Sequence, residues 1–338
     1  MQAAIFDGIG RPLRLGRLPD PTPEGGDVVV KVGHCGICGS DLHISEDPIF
    51  GVPAGSVLGH EYSGEVVAVG PKASRIKVGD RVCVLPLRSC CQCPSCAIGE
   101  QAWCAQMQIE GGGYGQYSLA NEGQCQLLPS TVSLADGALV EPLAVALHGI
   151  NVSGMVAGSR VLIIGAGPIG LATAFWARRL GATAVAVTAS SNRRAELAHT
   201  LGATAFIDPA VFTPEEVRKA LHGQPDIVFE CVGKPGLIQK SVEQVRPRGT
   251  VVVLGLCTVP DTLSPFLTVV KEVRIQPAAL YRMRDFEICT DVLDSGDVTP
   301  RAMVTDNISL AELPATFEQL KSRTHQCKVL VNPWGAAG

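Results

Sequence analysis

The sequence predicts an α/β protein with a β-rich first part and a doubly wound parallel sheet in its second half. Short β-type runs between Gly and Pro turns fill about the first 85 residues, for example 28–32 and 64–69. From about Arg160, short apolar runs alternate with helix-length segments, a rhythm typical of buried parallel strands with crossover helices. These apolar runs are 161–164, 184–187, 205–207, 227–229 and 251–254.

The remaining elements are placed by the same signals. A helix-like segment over 171–180 follows the first apolar run of the second half, a helical pattern surrounds 285–289, and the tail ends in a strand-like run at 327–331. The chain has 338 residues, which suggests about two domains.

Composition excludes several classes of function. No apolar run reaches the roughly 18 residues that a membrane span needs, so we expect no membrane association. The N-terminus M-Q-A-A-I-F-D-G lacks the features of a secretory signal, which predicts a cytoplasmic protein. A net charge of −4 without a basic stripe gives no reason to expect nucleic-acid binding. Thirteen cysteines in a long chain favour reduced thiols over a disulfide scaffold.

Four cysteines have the spacing C-x2-C-x2-C-x7-C, within a lobe at about 88–106. Thiolates match zinc, and four protein ligands leave no position for a substrate, so we predict a structural zinc site. Cys91 is an additional thiol that we expect to point away from this site. The predicted ligands are Cys90, Cys93, Cys96 and Cys104.

A second set of metal-ligand types comprises Cys38, the pair His60-Glu61, and Glu141. A catalytic zinc needs three protein ligands and keeps its fourth position open for water or an alcohol. Spacing alone does not establish this site, because a lone cysteine or a Gly-His-Glu sequence is more often structural or surface-exposed.

The motif G-A-G-P-I-G at 165–170 lies between the strand 161–164 and a helix-like segment. In that position Gly165 makes the tight turn, Gly167 lets the backbone approach a pyrophosphate, and Gly170 permits close packing of helix on strand. Pro168 and Ile169 complete the loop. The context favours a Rossmann dinucleotide site.

Several motifs resemble the zinc-dependent medium-chain alcohol and polyol dehydrogenases. The similarity runs in order over nearly the whole chain and implies a GroES-like β-rich catalytic domain, 1–143 and 284–338, with an inserted Rossmann domain, 144–283. The motifs are C-G-I-C-G-S-D-L-H at 35–43, G-H-E at 59–61, V-G-D-R-V at 78–82, the cysteine lobe, V-E-P-L-A-V-A-L-H at 140–148 and the glycine fingerprint.

The resemblance assigns roles to individual residues. It implies that Cys38 and His60 are ligands of a catalytic zinc, with Glu61 as a third ligand in the polyol branch. Glu141 stands where classical alcohol dehydrogenases of the family have cysteine, and whether Glu61 or Glu141 is the direct ligand stays open. A glutamate there is similar to the sorbitol, threonine and butanediol dehydrogenases, which favours secondary alcohols and polyols.

The resemblance also implies a proton relay from the substrate oxygen through Ser40 and the cofactor ribose to His43. A hydroxyl-to-imidazole chain is suited to carry a proton out of a dry pocket. As alternatives, Ser40 is a helix N-cap and His43 an ordinary surface residue.

The segment T-A-S-S-N-R-R at 188–194 bears on the choice of nicotinamide cofactor. Ala189 stands where NAD-specific relatives carry Asp, so the charge that repels a 2′-phosphate is absent. Hydroxyl and guanidinium groups suit phosphate oxygens, which favours NADP(H) over NAD(H). The alternative places both arginines on a solvated helix face. The candidate phosphate-binding residues are Ser190, Ser191, Arg193 and Arg194.

Two later residues, Val232 and Gly255, follow buried strands whose carboxyl ends face the nicotinamide in a Rossmann domain. The pair Tyr281-Arg282 resembles a position near the substrate in polyol dehydrogenases, which implies that Arg282 meets a hydroxyl or acidic group; the alternative is a surface arginine.

We therefore predict an enzyme with two zinc ions per subunit that transfers a hydride between NADP(H) and a secondary alcohol, polyol or ketone. Two rival hypotheses are a medium-chain reductase of C=C or C=N bonds, in which zinc does not activate an alcohol, and a non-catalytic zinc and nucleotide binder that serves as a sensor or structural protein. The resemblance further implies a homo-oligomer, a dimer or a tetramer.

Overall fold

The computed structural model describes residues 1–322 and 324–335. The chain divides into two compact units, Met1–Glu141 with Tyr281–Gly338, and Pro142–Leu280. The first unit is thus built from both ends of the chain. The boundaries predicted from the sequence, 143/144 and 283/284, lie close to these positions. Among the described residues, no helix has the length and apolar character needed to cross a bilayer.

The strands are short except for two in the first unit. In chain order they are β1 (Gln2–Phe6), β2 (Arg14–Arg17), β3 (Asp27–Gly36), β4 (Ser56–Val57), β5 (Glu61–Val69), β6 (Arg81–Val84), β7 (Leu87–Arg88), β8 (Gln108–Ile109), β9 (Tyr117–Asn121), β10 (Cys125–Leu127), β11 (Arg160–Ile164), β12 (Ala184–Thr188), β13 (Ala205–Ile207), β14 (Ile227–Glu230), β15 (Thr250–Val253), β16 (Arg274–Pro277), β17 (Val304–Ser309) and β18 (Lys328–Asn332).

The α-helices follow the same order. They are α1 (Gly39–Ile44), α2 (Pro94–Ala97), α3 (Leu134–Gly137), α4 (Val140–Ser153), α5 (Pro168–Arg179), α6 (Ala195–Thr200), α7 (Pro214–Leu221), α8 (Leu237–Gln244), α9 (Pro265–Val270), α10 (Met283–Asp294) and α11 (Leu313–Leu320).

The first unit is built on a seven-stranded sheet in the order β10-β6-β5-β3-β18-β17, with β9 paired to β3. Val28, Val30 and Val32 of β3 are fully buried and anchor its core, as expected for alternate residues on one face of a strand. The strand β18 from the chain end pairs with β3, so the C-terminal tail completes this sheet. The predicted β-rich part is confirmed.

The second unit contains a six-stranded sheet in the order β13-β12-β11-β14-β15-β16, and every pairing in it is parallel. This is the doubly wound order of a Rossmann domain, and it confirms the predicted fold class. The five predicted apolar runs overlap β11 to β15. The edge strand β16 was not predicted, because Arg274 and Gln276 interrupt its apolar pattern.

An ion pair in the first unit ties the C-terminal segment to helix α3. Arg301 donates to both carboxylate oxygens of Asp136, at 2.6 and 2.7 Å, and Asp136 is nearly fully buried. The same carboxylate accepts a hydrogen bond from the Ser133 hydroxyl. In return, Ser133 Oγ accepts a hydrogen bond from the backbone N–H of Asp136 and so caps α3. Asp136 therefore joins two chain segments 165 residues apart.

Replacing Asp136 with asparagine is expected to destabilise the zinc-loaded protein by about 1.5–3 kcal/mol, the range for hydrogen bonds to charged groups. We expect the lower part of that range, because Arg301 is half exposed and is solvated after the change. The shift of the urea unfolding midpoint measures it. Asp7→Asn is the control, since its partner Arg14 is exposed and little change is expected.

The pH dependence of this ion pair has a defined sign. Burial alone raises the pKa of Asp136, but the hydrogen bonds from Arg301 and Ser133 outweigh burial and lower it below 3.8. Its stabilisation is therefore present above the pKa of an unfolded aspartate and is lost as the pH falls through the lowered value. A stability difference between the protein and Asp136→Asn that persisted unchanged at pH 2 would contradict this assignment.

Candidate active site

Four cysteine thiols form a compact cluster in the lobe. The Sγ atoms of Cys93 and Cys96 are 3.5 Å apart, those of Cys90 and Cys104 are 3.6 Å apart, and those of Cys90 and Cys96 are 3.9 Å apart. A tetrahedral zinc with bonds of about 2.3 Å to sulfur separates its ligands by about 3.8 Å. All are free thiols and too far apart for disulfides, so the cluster fits a zinc ion.

Backbone N–H groups stabilise negative charge on these sulfurs. The amides of Cys90 and Gln106 donate to Cys104 Sγ, at 3.5 and 3.4 Å. Backbone hydrogen bonds from Gln92 and Cys93 lower the pKa of the Cys90 thiol, which favours the thiolate that zinc binds. Cys91 is exposed and lies outside the cluster, as predicted.

A second set of side chains, called the metal-ligand cluster below, consists of Cys38, His60 and Glu61. One ligand atom from each lies within 4.8 Å of the others. Strand pairing produces this arrangement. Gly36 of β3 lies opposite Glu61 of β5, so Cys38, just beyond the end of β3, comes beside the start of β5. A thiol, an imidazole and a carboxylate are suitable zinc ligands.

The ring of His60 is oriented by Asp41, a residue that the sequence reasoning did not single out. His60 Nδ1 lies 3.2 Å from Asp41 Oδ1, which leaves Nε2 facing the cluster. Asp41 is almost fully buried and also accepts hydrogen bonds from the Tyr114 hydroxyl, at 2.6 Å, and the Cys38 amide, at 3.3 Å. The available signal was its place between Ser40 and His43 in C-G-S-D-L-H.

Glu61 is not a free carboxylate. Lys328 Nζ lies 2.7 Å from its Oε1 and 2.5 Å from its Oε2, and both side chains are almost completely buried. Burial alone lowers the pKa of Lys328, but the negative charges of Glu61 and Cys38 raise it above 10.5. The lysine is therefore charged when it contacts Glu61.

Glu141 has a different partner. The Tyr281 hydroxyl donates to Glu141 Oε1 at 2.8 Å, and Tyr281 is 1% exposed. Burial, with the nearby Glu61, raises the pKa of Glu141 to about 7, against the lowering effect of His60. Among the described residues, the ligand atoms that lie within 4.8 Å of one another are those of Cys38, His60 and Glu61, and Glu141 is not one of this set.

The predicted relay residues both lie on helix α1. Ser40 Oγ donates to Cys38 Sγ at 3.1 Å and lies 3.3 Å from His60 Nε2, so its hydroxyl is at the metal-ligand cluster. Cys38, rather than Ser40, is the N-cap residue of the helix. His43 lies one turn later and is exposed.

A groove of about 810 Å³ runs past His60 and Asp41 in the first unit. Its walls include Phe50, Val52 and Ile109, so it offers apolar surface to a carbon chain. Arg282 does not line this groove; it forms an ion pair with Glu100 at 2.6 Å.

The glycine loop of the second unit has the backbone that the sequence predicts. Gly165 has φ +116°, and a Cβ there would approach the carbonyl of Cys231 to 3.1 Å. A Cβ on Gly170 would lie 1.9 Å from the Gly165 carbonyl oxygen, so this contact between helix and strand requires glycine. Gly167 faces open space at the N-terminus of α5, where Pro168 and Ile169 begin the helix. This surface fits the pyrophosphate of a dinucleotide.

The segment after β12 presents polar groups without a carboxylate. Ala189 is half-buried and Ser190 is exposed. Arg193 Nε donates to Ser191 Oγ at 3.3 Å. Arg194 Nη1 donates to the carbonyl of Ala166 at 2.9 Å, which ties this segment to the glycine loop.

The ends of β14 and β15 meet closely. A Cβ on Gly255 would lie 2.1 Å from the Gly233 amide nitrogen, so Gly255 permits this contact. Buried Glu230, which the sequence reasoning did not assign, accepts the amides of Val232 at 2.8 Å and Gly233 at 3.0 Å. Val232 itself is 38% exposed at the end of the sheet.

A dinucleotide-type parallel sheet, together with a unit that carries a Cys-His-Glu cluster and a thiol cage, defines a nicotinamide-dependent oxidoreductase with zinc-binding residues. Comparison with known proteins refines this class. Residues 24–130 match the alcohol dehydrogenase GroES-like domain, and residues 168–295 match the zinc-binding dehydrogenase domain. The chain belongs to the zinc-dependent alcohol and polyol dehydrogenase family.

Individual relatives are similar to this protein over almost the whole of its chain. Human sorbitol dehydrogenase is 32% identical over 322 residues, covering 91% of this chain and 90% of the relative. A zinc-binding dehydrogenase from Sinorhizobium meliloti, solved with bound NADP, is 32% identical with a TM-score of 0.90, covering 98% and 99% of the two chains. The 2R,3R-butanediol dehydrogenase of Bacillus subtilis is 31% identical with a TM-score of 0.88, over 98% and 99%. This protein is an oxidoreductase of the alcohol dehydrogenase type.

Proposed function

We propose that this protein transfers a hydride between NADP(H) and a secondary alcohol or polyol, or the corresponding ketone. The observation that carries the proposal is the convergence of Cys38, His60 and Glu61 beside the Ser40 hydroxyl. Relatives named for sorbitol and butanediol support the substrate class, since both compounds carry secondary hydroxyl groups.

Cys38, His60 and either Glu61 or Glu141 would hold a catalytic zinc, and the four lobe cysteines would hold a structural one. When bound, the catalytic zinc supplies Lewis-acid polarisation of the substrate oxygen. Asp41 holds the imidazole of His60 in the orientation that this requires. Ser40 would relay a proton, because its hydroxyl passes its own proton onward as it takes up that of the substrate hydroxyl, and exposed His43 would exchange the relayed proton with solvent.

We also propose the choice of cofactor. The second unit would bind NADP(H) with the backbone of Gly165, Gly167, Pro168, Ile169 and Gly170, and Val232 and Gly255 would face the nicotinamide. Absence of a carboxylate at Ala189 supports NADP(H), as does the relative solved with NADP. Arg193 and the hydroxyls of Ser190 and Ser191 offer donors to a 2′-phosphate. Because Arg194 already donates to the glycine loop, we assign it to shaping that loop beside the phosphate.

Metal analysis and a substrate panel test the proposal. We expect two zinc ions per chain, and NADPH oxidation with ketones that have a polyol or diol carbon skeleton. The rival reduction of C=C or C=N bonds is not favoured, because the comparisons are with alcohol dehydrogenases and Ser40, His43 and Glu141 are all present. Turnover of enones or imines without any turnover of alcohols or ketones would reject our proposal.

We further propose a cytoplasmic homo-oligomer. Its thirteen free cysteines suit a reducing compartment. In the second unit β16 lies at an edge of the sheet, and nearby helix α9 exposes Phe266 by 79%, Val269 by 71% and Val270 by 63%. An exposed apolar surface beside a sheet edge supports the proposed contact with another copy.

Sedimentation equilibrium tests the oligomer. Phe266→Asp is expected to shift the protein toward monomer, because a charge in an apolar interface is left unpaired. Val156→Asp is the control, since Val156 is 68% exposed in the same unit but outside α9 and β16. An unchanged mass for Phe266→Asp would exclude this surface, and a monomeric parent protein would exclude the oligomer.

A further inference from the structure

Lys328 is a buried lysine whose ammonium group contacts Glu61 of the metal-ligand cluster. Its side chain is 1% exposed in β18, and Nζ donates to both oxygens of Glu61 and, at 3.1 Å, to the carbonyl of Ile37. An ammonium group has three donors, so all are used. Burial of a charge in this way is costly and is sustained only by such pairing.

The carboxylate of Glu61 is confined on two sides. Lys328 lies at similar distances from both oxygens, 2.7 and 2.5 Å, so it occupies the face from which both oxygens would chelate one ion. On another side the backbone of β3 is so close that a Cβ on Gly36 would lie 2.0 Å from Glu61 Oε2. One ligand oxygen of Glu61 nevertheless lies within 4.8 Å of Cys38 and His60.

We propose that Lys328 is a positioning residue that restrains Glu61 to at most one oxygen toward the metal. The inference rests on the proposed catalytic zinc. A metal whose shell is filled by protein ligands has no place for a substrate, so restraint of Glu61 keeps one position available. The positive charge of Lys328 also offsets part of the negative charge that Glu61, Cys38 and Glu141 place around the cluster.

Removal of Lys328 is expected to change the rate of zinc release in the direction opposite to that for a merely structural lysine. A merely structural lysine would, when removed, loosen the site and speed the loss of zinc. Lys328→Gln instead releases Glu61 to the metal and removes a repelling charge, so it is expected to slow zinc extraction by a chelator by about tenfold or more. We expect kcat to fall while zinc is retained.

Four variants of the full chain, each loaded with zinc, carry the test. Zinc release to a chelator, metal content, kcat and KM are measured for the parent, Lys328→Gln, Lys328→Arg and the double variant Glu61→Gln/Lys328→Gln. Lys328→Arg keeps the charge and should release zinc nearer the parent rate than Lys328→Gln does. The double variant should lose the added retention, because the released carboxylate is gone. Lys72→Gln, on an exposed lysine of the same unit, should behave as the parent.

Equal or faster zinc release from Lys328→Gln would overturn the inference, as would Lys328→Arg behaving like Lys328→Gln. Should Lys328→Gln fail to fold, a crystal structure of the zinc-loaded parent decides. The Lys328 contact with Glu61 is expected to persist there, and both Glu61 oxygens on zinc would refute the inference. A parent protein with zinc in the cysteine lobe alone would instead reject the proposed catalytic site itself.

Discussion

Replacing Cys38 with serine is expected to lower kcat/KM for a secondary alcohol by at least about a thousandfold. Metal-ion polarisation is worth several kcal/mol of barrier, and each 1.36 kcal/mol or so is tenfold in rate. Serine is a poor zinc ligand at neutral pH, because its hydroxyl stays protonated, whereas the thiolate of cysteine is a soft anion. The variant should also contain one zinc ion fewer than the parent.

Cys91→Ser is the matched control for this experiment. Cys91 is exposed and lies outside both metal-ligand groups, so zinc content and kcat/KM should match those of the parent. Circular dichroism and the urea midpoint establish that Cys38→Ser is folded. A folded Cys38→Ser enzyme with unchanged oxidation rates would show that the metal-ligand cluster takes no part in the reaction.

Features encoded over short stretches of sequence could be predicted in detail. The cysteines of the lobe span 90 to 104, and a tight loop of this length can bring four thiols together with few long-range contacts. The glycine loop is similar, because the positive φ at Gly165 and the close contact at Gly170 are imposed by one strand-turn-helix connection. Their residue types therefore indicate their structure directly.

Long-range pairings could not be predicted in the same way. Lys328 and Glu61 are 267 residues apart, and Tyr281 and Glu141 are 140 apart. A lysine in a strand is usually exposed, and it becomes a buried counter-ion here only because β18 pairs with β3 and β3 pairs with β5. That register determines that Lys328 contacts Glu61, while Glu141 is left to contact the phenol of Tyr281. The sequence pattern does not predict the register.

Arg194 shows the same limit on a smaller scale. Its residue type and place indicate a phosphate ligand, but the structure uses one of its donors on the Ala166 carbonyl. A guanidinium has several donors in a planar fork, so this bond and a phosphate contact are compatible. The sequence alone predicts positive charge near the cofactor site. It does not predict which arginine shapes the glycine loop and which binds the ligand.

Replacing Ala189 with aspartate is expected to change the cofactor preference. Ala189→Asp should shift the ratio of kcat/KM for NADP+ over NAD+ by at least about a hundredfold toward NAD+, equivalent to about 2.7 kcal/mol. The new carboxylate accepts hydrogen bonds from the adenosine ribose hydroxyls and repels a 2′-phosphate. Steady-state kinetics with both cofactors measure the ratio. Ala302→Asp adds the same charge at an exposed position of the first unit and should leave it unchanged.

Arg193 allows attraction for the 2′-phosphate to be measured separately from the repulsion that Ala189→Asp adds. Arg193→Ala removes an attraction for the 2′-phosphate without adding a repulsion, so it should raise KM for NADP+ and leave KM for NAD+ nearly constant. Arg218→Ala on helix α7 is its control. A parent enzyme with a strong preference for NAD+ would contradict the assignment of this segment, because three hydroxyl- and guanidinium-bearing side chains beside a neutral Ala189 would then have no anion to bind.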